Sequence, residues 1–346
     1  MEAKVKPLIA RKKAELLAGG AIRISDDFRL PFLPSRSTAG PGAGSVSVVF
    51  GFGNTRAKKA ISRDSGEFEL VSRNGGLLIA KNGRPFIRDV TLIPTLMHAP
   101  FQAFVNMDST CVLGCKFCAS PKLEKSLTKG LTDEKIISMI LDASCGQGFE
   151  AVSLTSGIPE SPNVTAKRMA GIVRKIRELL PLAPIGVEPY LTRPDEADML
   201  KDAGANEIKL NIETFDRDIF EKICPNRDFD TILHVVNHAC GVFGRNNVSS
   251  NIIYGLGETD DNVIEGVKVL ANMGAVATLR ALRRNEYNVD QLEKSLGTLT
   301  PVTAERMLML AKEQKRVLIN HKLTTLTFKT MCHSCLSCDI VPFWDV

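Results

Sequence analysis

A chain of 346 residues that is 44% hydrophobic, 24% charged and 6% aromatic has ordinary globular composition, which excludes disordered, fibrous and membrane-spanning classes. Its 44 Lys and Arg against 39 Asp and Glu give +5, a surplus that suits an anionic ligand but falls short of a nucleic-acid footprint. The opening stretch Met1–Leu17 scatters Lys4, Lys6, Arg11, Lys12 and Lys13 without a signal peptide's apolar core, and no later run approaches ~18 apolar residues. A cytoplasmic chain with no membrane or nucleic-acid partner is therefore expected, in which nine cysteines are reduced thiols available for metal.

From the N-terminus, Val5–Leu17 alternates charged and aliphatic residues with helical spacing, and Gly19-Gly20 stops it. Next comes a Ser/Gly/Pro-rich stretch, Ser37–Ser45, and then the short apolar segments Val46–Phe50, Phe68–Ser72, Leu77–Ala80 and Phe86-Ile87. Asn74-Gly75-Gly76 and Asn82-Gly83 separate the last three, which signals hairpins. Gly51-Phe-Gly53 is no phosphate loop, since the third glycine of a dinucleotide fingerprint and any Gly-Lys-Ser/Thr are missing. The glycine-rich part is read as loops over a barrel mouth or a platform for a partner. Residues 1–97 thus form an N-terminal helix plus a β-rich segment.

From Phe101 the pattern becomes strand-then-helix. Strands are expected at Phe101–Met107, Ala151–Thr155, Ile185–Pro189, Glu207–Ile212, Val248–Tyr254, Val276–Ala281 and Leu323–Phe328. Helices are expected at Thr132–Gly146, Thr165–Leu180, Arg193–Ala203, Thr231–Phe243, Thr259–Met273 and Thr303–Asn320. This is an α/β chain with a partial or complete (β/α) TIM-type barrel over 98–328, whose chemistry belongs at the C-terminal strand ends, followed by a Cys-rich tail over 329–346.

At the end of the first barrel strand stands Met107-Asp-Ser-Thr-Cys111-Val-Leu-Gly-Cys115-Lys-Phe117-Cys118, a C-x3-C-x2-C run. A structural zinc site wants four ligands, and four-cysteine ferredoxin patterns fill every iron of a cubane. Three thiolates leave one iron open to chelate a small molecule; the competing reading is a zinc site completed by a distant His or Cys. The spacing, the glycine before Cys115 and the aromatic Phe117 resemble the cluster loop of the radical S-adenosylmethionine (SAM) superfamily. The resemblance implies a [4Fe-4S] cluster on Cys111, Cys115 and Cys118 that binds SAM and splits it to a 5′-deoxyadenosyl radical.

Later strand ends extend the resemblance over roughly Phe101 to Phe328. Ser156 and Gly157, after Leu154-Thr155, would contact the amino group of SAM. Asn211 and Glu213 follow on strand four, with Glu213 accepting hydrogen bonds from SAM. Tyr254-Gly255-Leu256-Gly257 is similar to the turn that lets the main chain approach adenine. The plain alternatives are a strand-end turn at Ser156-Gly157, a helix-start acid at Glu213 and a simple turn at Gly255 and Gly257. Arg280, inside an apolar strand and followed by Arg283 and Arg284, is an anion-binding candidate, a solvated charge run being the alternative. Glu213 and Arg280 are the candidate catalytic residues.

Near the C-terminus Cys332-His-Ser-Cys335-Leu-Ser-Cys338-Asp339 brings three thiols together in a run without helix or strand periodicity. It is read as an auxiliary iron–sulfur cluster whose fourth ligand is His333, Asp339, a remote cysteine or the substrate, against a zinc knuckle or a redox tail. Cys145 and Cys240 are read as structural thiols, and Cys224 as the first choice for an outlying ligand. His234 and His238, four apart on a helix, are read as structural.

Asn211 through Pro225, a helix and the Tyr254–Thr259 turn look like the group of biotin synthase and the hydrogenase maturases. The tail and Thr155-Ser156-Gly157 most resemble the radical SAM protein of methanogen [Fe]-hydrogenase cofactor biosynthesis, the x3 spacing suggesting a paralogue. The resemblance implies an anaerobic enzyme acting on a small molecule or cofactor precursor, fed by an electron donor such as ferredoxin or flavodoxin. A protein- or peptide-modifying enzyme, for example a C-methylase, and a non-catalytic iron–sulfur scaffold or electron carrier are the alternatives.

Overall fold

The computed structural model describes residues 2–36, 40–64, 66–122 and 130–346. Helix α1 (Glu2–Ala18) leads into β1 (Ile22–Ile24), β2 (Ser35–Arg36), β3 (Val46–Phe52), β4 (Thr55–Ser62), β5 (Phe68–Arg73), β6 (Gly76–Lys81) and β7 (Arg84–Ile93). Their order is β2-β3-β4-β1-β5-β6-β7, and an added β3–β7 pairing closes the sheet on itself around Ile22, Phe50, Phe68 and Ile79. Asn74, Gly75, Asn82 and Gly83 all have positive φ, the conformation a two-residue hairpin turn requires, so both Asn-Gly signals make turns. The sequence pattern hides β4, because Arg56, Lys58 and Lys59 interrupt it. Lys58 and Lys59 are nevertheless buried, their ammonium groups bonded to Ser35 and to main-chain carbonyls.

A second sheet holds β8 (Gln102–Asn106), β9 (Ala151–Thr155), β10 (Ile185–Glu188), β11 (Glu207–Lys209), β12 (Val248–Tyr254) and β13 (Val276–Ala281), paired in parallel in chain order. Around it lie α2 (Asp133–Ser144), α3 (Pro162–Leu179), α4 (Pro194–Asp202), α5 (Arg217–Ile223), α6 (Phe229–Phe243), α7 (Asp260–Met273), α8 (Val289–Leu296) and α9 (Ala304–Asn320). Thr132, Ser161, Asp228, Thr259 and Thr303 each cap a helix by accepting a main-chain N–H from the first turn. With six parallel strands among the described residues, this is a partial TIM-type barrel, open between β8 and β13.

The expected seventh strand, Leu323–Phe328, does not form. Its threonines bond locally instead: Thr324 takes the N–H of Leu326, Thr325 donates to Pro342 O, and Asn246 holds Thr324 N and Thr327. Such bonds compete with a strand ladder. The tail fills the gap in its place. Thr330 and Met331 are bonded by Glu207 and Gln102, and the short helix α10 (Met331–Cys335) sends His333 to Thr278 of β13. Lys13 of α1 and Asp345, both with fully buried side chains, pair at 2.7 Å and tie the two ends of the chain together. Among the described residues no helix is long and apolar enough to cross a membrane.

Candidate functional site

The loops leaving β8, β9, β10 and β13 open on one cavity of about 670 Å³, walled on its far side by residues of α1–β1, the Gly40–Gly42 turn and β4. Cys111, Cys115, Phe117, Cys118, Ser156, Gly157, Asn211, Glu213, Arg280, Cys332 and Cys338 all line it. The position agrees with chemistry at the C-terminal ends of barrel strands.

The cysteine loop is anchored at several points. Gly114 takes φ +67, a conformation that favours glycine, to turn the chain into Cys115. Lys116 N–H donates to Ile223 O at 2.8 Å, and Asn226 Nδ2 donates to Leu113 O at 3.2 Å. A hydrogen bond with Cys224, assisted by the Arg227 guanidinium, brings the Cys115 thiol down to about 7. Burial pushes Cys118 up to about 11. Cys224 is itself buried, beside Cys115 and off the cavity wall. Gly157 donates its N–H to Asp108 O at 2.7 Å, and a Cβ there would meet Thr110 O at 2.3 Å. Its amide therefore serves the cysteine loop, not a ligand, and its missing side chain gives that loop room.

Glu213 has φ +71, a strained conformation for a non-glycine residue that is held by main-chain bonds to Asn251 and Ile253. Its carboxylate pairs with Arg227 at 3.0 Å, leaving Oε2 without a partner. Burial raises its pKa against the pull of Arg227. Ser156 Oγ, Asn251 Oδ1 and Arg227 Nε are likewise buried without a partner, and all four residues line the cavity. Buried polar atoms are almost always hydrogen-bonded, so this set calls for a polar ligand. Asn211 is pinned differently: Nδ2 donates to Glu188 at 2.8 Å, and Oδ1 accepts from Asn251 N at 3.1 Å.

The glycine turn lies behind the cavity wall. Tyr254, Gly255 and Gly257 are not among the wall residues, but Gly255 packs against Val302 and Leu282, which are. The Glu258 carboxylate accepts the N–H groups of Gly255 and Leu256 at 2.8 and 2.7 Å and is held by Arg306 at 2.8 Å.

The tail cysteines face a cationic wall. Cys332 Sγ receives Arg280 Nη2 at 2.7 Å and Lys209 Nζ at 3.2 Å. Burial opposes ionisation of Cys338, but Arg283 and Arg280 outweigh it and lower the thiol; burial raises Cys335. His333 turns into the core, against Thr278 at 3.1 Å and Phe328 at 4.8 Å between ring centroids, and Asp339 pairs with Arg280 at 3.1 Å. Asp339 is thus engaged by Arg280, while His333 keeps Nδ1 without a hydrogen-bond partner. His238 pairs with Asp198 at 3.0 Å while His234 is exposed, as suits structural residues. Among the described residues no three His, Cys, Asp or Glu side chains stand in a ready-made ion geometry.

Glu188, Tyr190, Lys209, Arg227 and Asn251 also line the cavity and were missed in the sequence. Lys209 could have been found by the signal that singled out Arg280, a cation within an apolar strand. Asn251 alternates inward along β12.

A partial parallel barrel thus carries a three-thiol loop at the C-terminal ends of its strands. Residues 105–270, just under half of the chain, match the family model described as the Radical SAM superfamily, whose members are enzymes. The lipoyl synthase of Picrophilus torridus is 27% identical over 174 residues, which cover 49% of this chain and 58% of the relative. The GTP 3′,8-cyclase of Alkaliphilus oremlandii is 26% identical over 171 residues, covering 48% and 51%. The chain thus spans little more than half the length of these curated relatives. The X-ray structure of the FeFe-hydrogenase maturase HydG from Carboxydothermus hydrogenoformans shares the fold, with TM-score 0.52 and 15% identity over 64% of this chain and 52% of that one. The superfamily implies a [4Fe-4S] cluster and SAM. Three cavity-lining thiols and four orphaned polar atoms fit that pair.

Proposed function

We propose that the chain reductively cleaves SAM and abstracts hydrogen from a small-molecule or cofactor-precursor substrate, in a cofactor-building reaction fed by a ferredoxin- or flavodoxin-like donor. One observation carries this reading: the three-cysteine loop and the unpartnered atoms of Ser156, Glu213, Arg227 and Asn251 share a single cavity. When bound, the cluster and SAM supply a one-electron cleavage of the sulfonium that yields a hydrogen-abstracting 5′-deoxyadenosyl radical. Cys111, Cys115 and Cys118 would hold the cluster. Glu213 and Asn251 offer acceptors and Ser156 a donor to SAM, while Arg227 fixes the Glu213 carboxylate. Gly40 covers part of the mouth, its N–H on Ser120 Oγ at 2.8 Å, which favours a small substrate over a polypeptide.

In the same reading Cys332, Cys335 and Cys338 hold an auxiliary iron–sulfur cluster, supported by the cations at Cys332 and Cys338, which offset thiolate charge. Iron and sulfide analysis on anaerobically reconstituted protein tests it. About eight irons per chain are expected in the wild type and about four in Cys335→Ala. About four in both would remove the auxiliary cluster.

A further inference from the structure

The cavity carries more positive charge than its own acids answer. Seven Lys or Arg side chains line it against two Glu. Arg227, Lys209 and Arg280 pair with Glu213, Glu188 and Asp339 at 3.0, 3.2 and 3.1 Å, and Arg284 has a long contact with Glu293 at 3.9 Å. Lys58, Lys59 and Arg283 are left with no acid within ion-pair distance among the described residues.

Lys58 and Lys59, consecutive on β4, leave opposite faces of the strand, and the charge of Arg283, in the loop after β13, acts on both. Lys58 donates to Ser35 Oγ at 3.1 Å and His98 O at 2.6 Å, and Lys59 donates to Gly19 O at 2.6 Å. All are neutral acceptors. Arg283 donates only to Cys338 O, at 3.3 Å, and is exposed at the mouth, whereas the lysines are buried at 5% and 8%. Burial, with the charge of Arg283 added and that of the more distant Glu67 opposing, brings Lys59 down to about 7. A buried lysine beside another positive charge is costly unless an anion joins them. There is room for one: Lys58, Lys59, Gly42 and Arg283 line the same cavity of about 670 Å³, and a Cβ built at Gly42 would meet nothing nearer than Arg283 Nη1 at 3.8 Å.

We propose that Lys59 and Arg283, flanked by Lys58, form an anion subsite that seats a carboxylate or phosphate group of the substrate. All three residues lie outside the segment matched by the superfamily, so the subsite is set by the N-terminal unit and the loop after β13. Lys58 also faces Cys335 and Cys338 and shares its charge with the tail. Lys59 is the discriminating residue.

This inference deepens the proposed function and rests on it, so its test is read separately. Thermal unfolding of the reconstituted full chain is measured at fixed ionic strength, with chloride replaced by inorganic phosphate or by succinate. One of the two should raise Tm in a saturable way, phosphate marking a phosphate ester and succinate a carboxylate. Lys59→Met and Arg283→Gln should each weaken that apparent affinity by about tenfold or more, as loss of a charge-assisted bond predicts. Lys59→Arg should retain it, as should Lys175→Gln on an exposed barrel helix. No shift with either anion, or unchanged shifts in Lys59→Met and Arg283→Gln, would overturn the subsite. Release of 5′-deoxyadenosine from SAM by the same preparation reads the parent proposal: its absence beside an intact anion shift removes the radical reading and leaves the subsite.

Discussion

Cys115→Ala is expected to lower reductive 5′-deoxyadenosine release to the level of a protein-free control, with loss of about four irons per chain. Cys115 stands at the centre of the loop, after the left-handed Gly114 and before Lys116, whose N–H is tied to Ile223 O. It is also the loop thiol that Cys224 and Arg227 draw down to about 7, ready to ligate as thiolate. Cys224 is not expected to replace it. That residue ends α5 with its N–H on Phe220 O, is buried and does not line the cavity. The check is chromatographic quantitation of 5′-deoxyadenosine beside iron analysis. Wild-type release in Cys115→Ala would remove this cysteine from the cluster.

Asp345→Ala is expected to destabilise the chain by about 3–5 kcal/mol, because it leaves Lys13 buried without its counter-charge. Asp345 accepts from Lys13 at 2.7 Å, from Thr55 at 2.6 Å and from Val341 N at 2.7 Å, which joins α1, β4 and the tail in one buried network. Chemical unfolding monitored by circular dichroism measures the loss. The double variant Lys13→Met/Asp345→Leu should recover most of it, since an apolar pair needs no desolvation of charge. A loss under about 1 kcal/mol in Asp345→Ala would show that the pair behaves as a surface bridge.

What the sequence reveals depends on whether a signal is local. The Asn-Gly turns, the capped helices and the strand-helix alternation each arise from neighbours in sequence, and the structure forms them where they are expected. The Leu323–Phe328 segment looks like a strand by composition, but its threonines and Asn246 offer the main chain competing bonds. Strand β4 fails the opposite way, since nothing local shows that Lys58 and Lys59 find acceptors at Ser35, His98 and Gly19.

The candidate site divides similarly. Cysteine spacing and strand-end position are local, so the thiols, Ser156, Asn211, Glu213 and Arg280 are visible in the sequence. Arg227 reaches Glu213 because the loop before α6 folds back to the segment after β11, where Arg227 also donates to Asn211 O. Gly255 and Gly257 carry the expected left-handed turn, with φ +98 and +112, yet Glu258 takes up the turn's N–H groups, a contact that spacing alone does not announce.

Electron paramagnetic resonance of the anaerobically reconstituted, reduced protein, recorded with and without SAM, tests the central claim most directly. A SAM-dependent change in the spectrum of the Cys111/Cys115/Cys118 cluster is predicted, retained in Cys335→Ala and absent in Cys115→Ala. A reduced cluster spectrum that SAM leaves unchanged in the wild type would contradict the account.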